Sequence, residues 1–166
     1  MKQNILIVDD EPDIRDVISV ILNDEGYNTD CVSNAQEAQA KINIEIPSLI
    51  ILDIWMRDST MDGLSLLNWI KDSNPEIPVL MISGHGTVEI AVNAIKAGAY
   101  DFIEKPFKSE KLLFMVSRAL ENSELKKENE ELKQQVRRTD MIVGKSSIIN
   151  SVRQTIAKVS QTNSRV

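Results

Sequence analysis

Cysteine is almost absent. Cys31 stands alone among 166 residues, which excludes an internal disulfide framework and any cysteine-based zinc centre. Histidine is as scarce, because His85 has no second imidazole with which to build a metal site or a catalytic relay. Hard oxygen ligands for a divalent cation remain. Basic charge is not in excess either: 19 Lys and Arg stand against 25 Asp and Glu, a net charge of −6. A nucleic-acid binder usually presents a basic face, so no nucleic acid is expected as a partner of this chain. Long apolar runs are missing too. None approaches the roughly 18 residues that a membrane crossing needs, and no membrane association is expected. Met1-Lys2-Gln3-Asn4 leads directly into a strand-like segment, without the layout of a signal peptide. What is there, 42% hydrophobic and 27% charged residues, is the balance of a soluble globular protein. A reduced, cytoplasmic location fits best.

Short apolar runs alternate with amphipathic stretches from residue 1 to about residue 107. The strand candidates are Ile5–Val8, Tyr27–Val32, Leu49–Leu52, Val79–Ile82 and Tyr100–Ile103. The first, third and fourth are unbroken aliphatic runs, as expected of central parallel strands covered on both faces. Helix candidates lie near 12–24, 34–44, 63–73 and 87–97. Pro12 suits a first helical turn, and Gly26 and Gly98 stand where a left-handed residue ends a helix. Five β-then-α units in succession predict an α/β fold, a doubly wound five-stranded parallel sheet. A fifth helix carries Leu112, Leu113, Val116, Ala119 and Leu120 at helical spacing and continues as an extended C-terminal helix.

In an open α/β sheet the functional crevice lies at the carboxyl ends of the strands. Asp9-Asp10-Glu11 follows the first strand, Asp53 the third and Ser83 the fourth, and the fifth leads to Lys105-Pro106. Clustered carboxylates repel by roughly 4 kcal/mol per pair at 4 Å and an effective dielectric near 20. A divalent cation such as Mg²⁺ offsets that repulsion, with Lys105 as a positive charge opposite. An anion between cation and ammonium, within reach of Ser83, suits in-line phosphoryl transfer with Asp53 as nucleophile. Any one Asp at a strand end more often caps a helix or turn. The full set at one end of the sheet points to chemistry.

These residues carry a resemblance. Val8-Asp9-Asp10-Glu11, Leu52-Asp53, Ile82-Ser83-Gly84 and Lys105-Pro106-Phe107 resemble, in order and spacing, the motifs of two-component response-regulator receiver domains, over about residues 1–120. The resemblance implies that Asp53 is phosphorylated from a phosphohistidine of a sensor histidine kinase. It implies Mg²⁺ held by Asp10, Asp53 and the main-chain carbonyl of Trp55, with Asp9 acting through water. It pairs Lys105 with the phosphoryl group across a cis Lys105–Pro106 bond. Ser83 and Phe102 match the family's switch positions: the hydroxyl swings to the phosphoryl group and the ring turns inward. Read from its residue type alone, Phe102 is equally a core residue.

One loop departs from the pattern. The family places Met-Pro after the phosphorylated Asp and Asp-Gly soon afterwards. Here the loop from Ile54 to Gly63 has Arg57 where Pro is expected and is about two residues longer. It is similar to that of the nitrogen-regulation (NtrC/NtrX-like) branch among sigma-54 activators. Trp55 and His85 should overhang the pocket, with His85 either an exposed loop residue or an acid–base group.

Residues 122–140 read as a helical linker. Heptads place Asn122, Asn129 and Val136 at a and Leu125, Leu132 and Thr139 at d. Glu121 and Glu128 at g would face Lys126 and Lys133 at e of a parallel partner, so a coiled-coil homodimer is expected. A solvated single helix is the other reading of so short a run. Residues 141–166 begin a fresh apolar pattern with Ile142, Val143, Ile148, Ile149, Val152, Ile156 and Val159. This stretch resembles the truncated opening of the AAA+ domain of sigma-54 activators, with residues 1–121 as the receiver. Gly144-Lys145-Ser146 is no phosphate loop, since Thr139 stands where a glycine is required. The resemblance implies a transcription-activating output, with DNA bound through a further domain. An aspartyl-phosphate phosphohydrolase is disfavoured, because it needs a second Asp where Trp55 stands. A non-phosphorylated scaffold would not need Asp10, Asp53, Ser83 and Lys105 together.

Overall fold

The computed structural model describes residues 3–162. Strands and helices alternate as β1 (Asn4–Val8), α1 (Pro12–Asp24), β2 (Asn28–Val32), α2 (Ala35–Ile44) and β3 (Leu49–Asp53), then α3 (Gly63–Ser73), β4 (Val79–Ser83), α4 (Val88–Lys96), β5 (Asp101–Glu104) and α5 (Ser109–Thr162). The strands form one parallel sheet in the order β2-β1-β3-β4-β5. That is the expected doubly wound architecture.

Period-two side-chain alternation sends the strand residues to two separate cores. Ile5 and Ile7 of β1, with Leu49 and Ile51 of β3, pack beneath Ile18 and Leu22 of α1 and Leu112, Val116 and Ala119 of α5. Leu6 and Val8, with Ile50 and Leu52, pack beneath Ala38 and Ile42 of α2, Leu66, Leu67 and Ile70 of α3 and Ala94 of α4. Both faces of β1, β3 and β4 are therefore covered, which is why their sequences are unbroken aliphatic runs. Each helix opens on a local signal. Pro12 begins α1, and Asn34, Asp62 and Thr87 accept hydrogen bonds from the N–H of Glu37, Ser65 and Ile90. Gly26 and Gly98 adopt positive φ where α1 and α4 end.

Strand β5 begins one residue later than the apolar pattern suggests. Tyr100 donates its N–H to the Val79 carbonyl but lies outside the strand. Register fixes the carboxyl edge: Val8 pairs with Val32 and Leu52, Asp53 with Ile82, and Ser83 with Glu104. The residues after these positions emerge along one rim.

The chain divides into two units, Met1–Ser123 and Glu124–Val166. Within the second, the described residues are helical through Thr162. Gly144-Lys145-Ser146 lies inside this helix, which is incompatible with the open turn of a phosphate loop. Leu125, Leu132 and Val136 are 59–61% exposed, and Asn129 is exposed beside them. Ile142, Ile149, Val152 and Ile156 are exposed as well. Residues 163–166 and the side chain of Val159 lie outside the described residues. Among the described residues no helix is long and apolar enough to cross a membrane.

Candidate functional site

The rim at the carboxyl ends of β1, β3 and β4 collects the acids. Asp9 is fully buried, Asp53 is 3% exposed and Asp10 is half-buried. One carboxylate oxygen from each lies within 4.8 Å of the others. These side chains belong to strand ends and short loops whose backbone is fixed by the sheet, so their convergence is a property of the fold.

Lys105 closes the group. Its N–H donates to the Ser83 carbonyl at 2.8 Å, which carries the chain one step beyond β5 beside β4. The Lys105–Pro106 bond is cis. The Lys105 ammonium lies 2.8 Å from Asp9 Oδ2, 3.4 Å from Glu11 Oε1 and 3.5 Å from Asp53 Oδ2. Its nearest carboxylate is thus Asp9. The other Asp9 oxygen accepts the Glu11 N–H at 2.9 Å, and the Arg15 guanidinium donates to the Asp9 carbonyl. Asp10 Oδ2 accepts the backbone N–H of Arg57 at 3.1 Å.

Burial governs the electrostatics. It pushes the Asp53 carboxyl up to about 6 against the pull of Lys105, and the nearby Asp9 and Asp10 charges add to the rise. A hydrogen bond with the Trp55 backbone acts in the opposite sense. Burial likewise raises Asp9, although Lys105 and the Glu11 N–H favour its charged form. For Lys105, burial favours the neutral amine. The hydrogen bond to Asp9 and the charges of Asp53, Asp9 and Glu11 outweigh it and hold the ammonium above the ordinary lysine range. Three carboxylates drawn together, two of them raised by burial, fit one hard divalent cation. The donor set is all oxygen, which favours Mg²⁺ or a similar ion over a softer metal.

Ser83 is fully buried, and its Oγ accepts the His85 N–H at 3.2 Å. His85 is exposed and Trp55 is 54% exposed, both in loops that follow site residues. Phe102 is half-buried and packs against the core on the α2–α4 side. A Cβ added to Gly86 would stand 2.6 Å from its ring, so the aromatic occupies space that the glycine leaves free. The linker residues Leu125, Asn129, Leu132 and Val136 belong to the second unit and are no part of this group.

Three participants carried no role in the sequence reading. Glu11 shares Lys105, although it stands in the acidic triplet after the first strand. Gly63 is packed so tightly that an added Cβ would lie 2.0 Å from the Asp53 carbonyl oxygen and 2.7 Å from Ile54 Cα. The Asp62-Gly63 pair was a visible signal for it. Ser59 Oγ accepts the Ala35 N–H at 3.1 Å and had no signal, since a loop serine has no pattern.

A family model described as the response regulator receiver domain matches residues 5–117. The chain is 52% identical over 166 residues to the nitrogen assimilation regulatory protein NtrX of Azorhizobium caulinodans, covering 100% of this chain and 36% of that protein. The crystal structure of the receiver domain of NtrX from Brucella abortus is 56% identical with a TM-score of 0.69, covering 70% of this chain and 98% of that one. The solution structure of the beryllofluoride-activated NtrC4 receiver domain dimer is 42% identical with a TM-score of 0.69, covering 72% and 98%. The chain spans about a third of the length of the curated relatives it matches.

Proposed function

This chain belongs to the response regulator receiver domain family, and we propose that Asp53 is its phosphoacceptor in a two-component phosphorelay. The observation that carries this reading is the meeting of Asp9, Asp10 and Asp53 within 4.8 Å, with the Lys105 ammonium 3.5 Å from Asp53. An Asp53 oxygen attacks the phosphorus of a phosphohistidine on a sensor histidine kinase. The O–P bond forms as the P–N bond breaks, and the electron pair leaves with the imidazole, which takes up a proton.

Asp9, Asp10, Asp53 and the main-chain carbonyl of Trp55 are the groups proposed to hold Mg²⁺. When bound, that ion supplies charge neutralisation for the transferring phosphoryl group. Lys105 then exchanges part of its contact with Asp9 for a phosphoryl oxygen, and the Ser83 hydroxyl donates to another. Movement of Ser83 vacates the space into which Phe102 turns, remodelling the face of α4 and β5. The chain is thus a signalling domain that assists its own phosphorylation and dephosphorylation.

The helix beyond Ser123 is proposed to pair two copies through Leu125, Asn129, Leu132 and Val136. Residues 141–166 are proposed to open an output domain of the sigma-54 activator type, in a cytoplasmic regulator that reaches DNA through another domain. The name of the Azorhizobium relative, a regulatory protein of nitrogen assimilation, supports a regulatory output. The dimer of the NtrC4 receiver domain supports pairing.

Incubation with Mg²⁺ and acetyl phosphate should add one phosphoryl group, read by mass spectrometry of the intact chain. Asp53→Asn should remain unlabelled. Equal labelling of wild type and variant would assign the phosphoryl group elsewhere.

A further inference from the structure

We propose that the backbone N–H of Arg57 is a positioning group for the cation site, holding the Asp10 carboxylate turned towards Asp9 and Asp53. This role rests on the cation-site reading above. The three carboxylates are not equally restrained. Asp9 is fully buried and held by the Lys105 ammonium and the Glu11 N–H. Asp53 is nearly as buried and faces Lys105. Asp10 is half-buried, and like charges on two neighbours push it towards water. What opposes that push is the Arg57 N–H on Asp10 Oδ2, 3.1 Å away. An amide on one carboxylate oxygen fixes the side-chain rotamer and leaves the second oxygen for a cation, the usual arrangement for a ligating carboxylate.

The amide is itself held in place. Asp58 follows with φ 55, a left-handed turn in the backbone. Ser59 then accepts the Ala35 N–H at the first residue of α2 through its Oγ. Residues 57–59 therefore form a strap, tied at one end to Asp10 and at the other to α2. The donor is the main chain, so most residues at 57 supply it. Proline does not, because its nitrogen carries no hydrogen. Proline is the residue that the receiver motif leads one to expect here, and Arg57 restores the N–H.

Side chain and amide are separable by mutation. Mg²⁺ alone is titrated into the full chain, with calorimetry and the fluorescence of exposed Trp55 as readouts. Arg57→Ala keeps the donor and should bind Mg²⁺ within about twofold of wild type. Arg57→Pro removes it and should bind about tenfold more weakly, the lower range for loss of a group that orients a metal ligand. Ser59→Ala loosens the far end of the strap and should weaken binding by about two- to threefold. Thermal unfolding with chelator present establishes that each variant is folded. Should Arg57→Pro fail to fold, Ser59→Ala decides, and unchanged Mg²⁺ affinity there overturns the proposal. Equal weakening by Arg57→Ala and Arg57→Pro would transfer the role to the guanidinium and also overturn it. Tight binding by wild type with no change in Arg57→Pro overturns the positioning role alone. No Mg²⁺ binding by wild type removes the cation site and this role with it.

Discussion

Asp53 holds a charge that its surroundings resist. Its carboxyl is raised from 3.8 to about 6, by burial first and by Asp9 and Asp10 after that, with Lys105 opposing. A carboxyl raised in the folded state binds its proton more tightly there than in the unfolded chain. The folded state therefore loses relative stability as pH rises from about 4 to about 6, and the whole penalty is present above that range. A rise of this size corresponds to roughly 3 kcal/mol. In chelator, Asp53→Asn should stabilise the fold near neutral pH by on the order of 1–3 kcal/mol and flatten this part of the pH profile. Urea denaturation at a mildly acidic and at a neutral pH measures both effects, and a variant less stable at neutral pH would contradict the electrostatic account. Gly63 is a second residue whose identity is dictated by contact. An added Cβ would meet the backbone of Asp53 and Ile54, and the Gly63 N–H already donates to the Ile54 carbonyl at 2.9 Å. Backbone atoms cannot rotate out of the way, so Gly63→Ala must push α3 away from β3. A loss of about 1–3 kcal/mol, typical of overpacking, should appear in thermal unfolding, together with slower labelling at Asp53. Labelling and stability equal to wild type would show that the strand end gives way freely.

At the scale of elements, sequence and structure agree where one local rule suffices. The runs Ile5–Val8, Leu49–Leu52 and Val79–Ile82 are strands because apolar residues on both faces require cover from both sides. Asp9, Asp10, Asp53, Ser83 and Lys105 could be gathered from sequence because parallel strands share one carboxyl edge. The β3–α3 loop could not be read this way. Its contacts, from Arg57 to Asp10 and from Ser59 to Ala35, join segments 47 and 24 residues apart, and no periodicity encodes them. The contact between Gly86 and the Phe102 ring is hidden for the same reason. Helix α5 was legible in type, and Gly144 sits in its interior without positive φ and with open space around an added Cβ. Gly144→Ala should therefore raise helical stability by about 0.5–1 kcal/mol, the difference between these residues within a helix. Circular dichroism on heating reads it, and a less helical variant would mean that the glycine is needed for a bend. The heptad residues make a separate prediction. Leu125→Glu with Leu132→Glu should convert a dimer to a monomer, because like charges would replace the apolar d positions. Light scattering decides, and a wild-type monomer at high concentration would reject the coiled-coil reading.

On the scale of the whole molecule, both cores and all the site residues fall within Met1–Ser123, whereas the exposed heptad leucines fall within Glu124–Val166. Chemistry and pairing should therefore separate on cutting the chain. Residues 1–123 retain every strand and the buried positions of α5 up to Leu120, so they have what is needed to fold alone. A ligand that binds only the folded state stabilises it by mass action, about 2.7 kcal/mol at a hundredfold excess over its dissociation constant. Saturating Mg²⁺ should raise the unfolding free energy of residues 1–123 and of the full chain by the same increment, and both should be labelled at Asp53 by acetyl phosphate. In Asp10→Asn the increment should shrink in both forms, since one of the three gathered carboxylates has lost its charge. A Mg²⁺ increment confined to the full chain would place the cation beyond residue 123, where Glu124, Glu128, Glu130 and Glu131 stand. An increment that survives Asp10→Asn undiminished would remove Asp10 from the binding set even if residues 1–123 fold well.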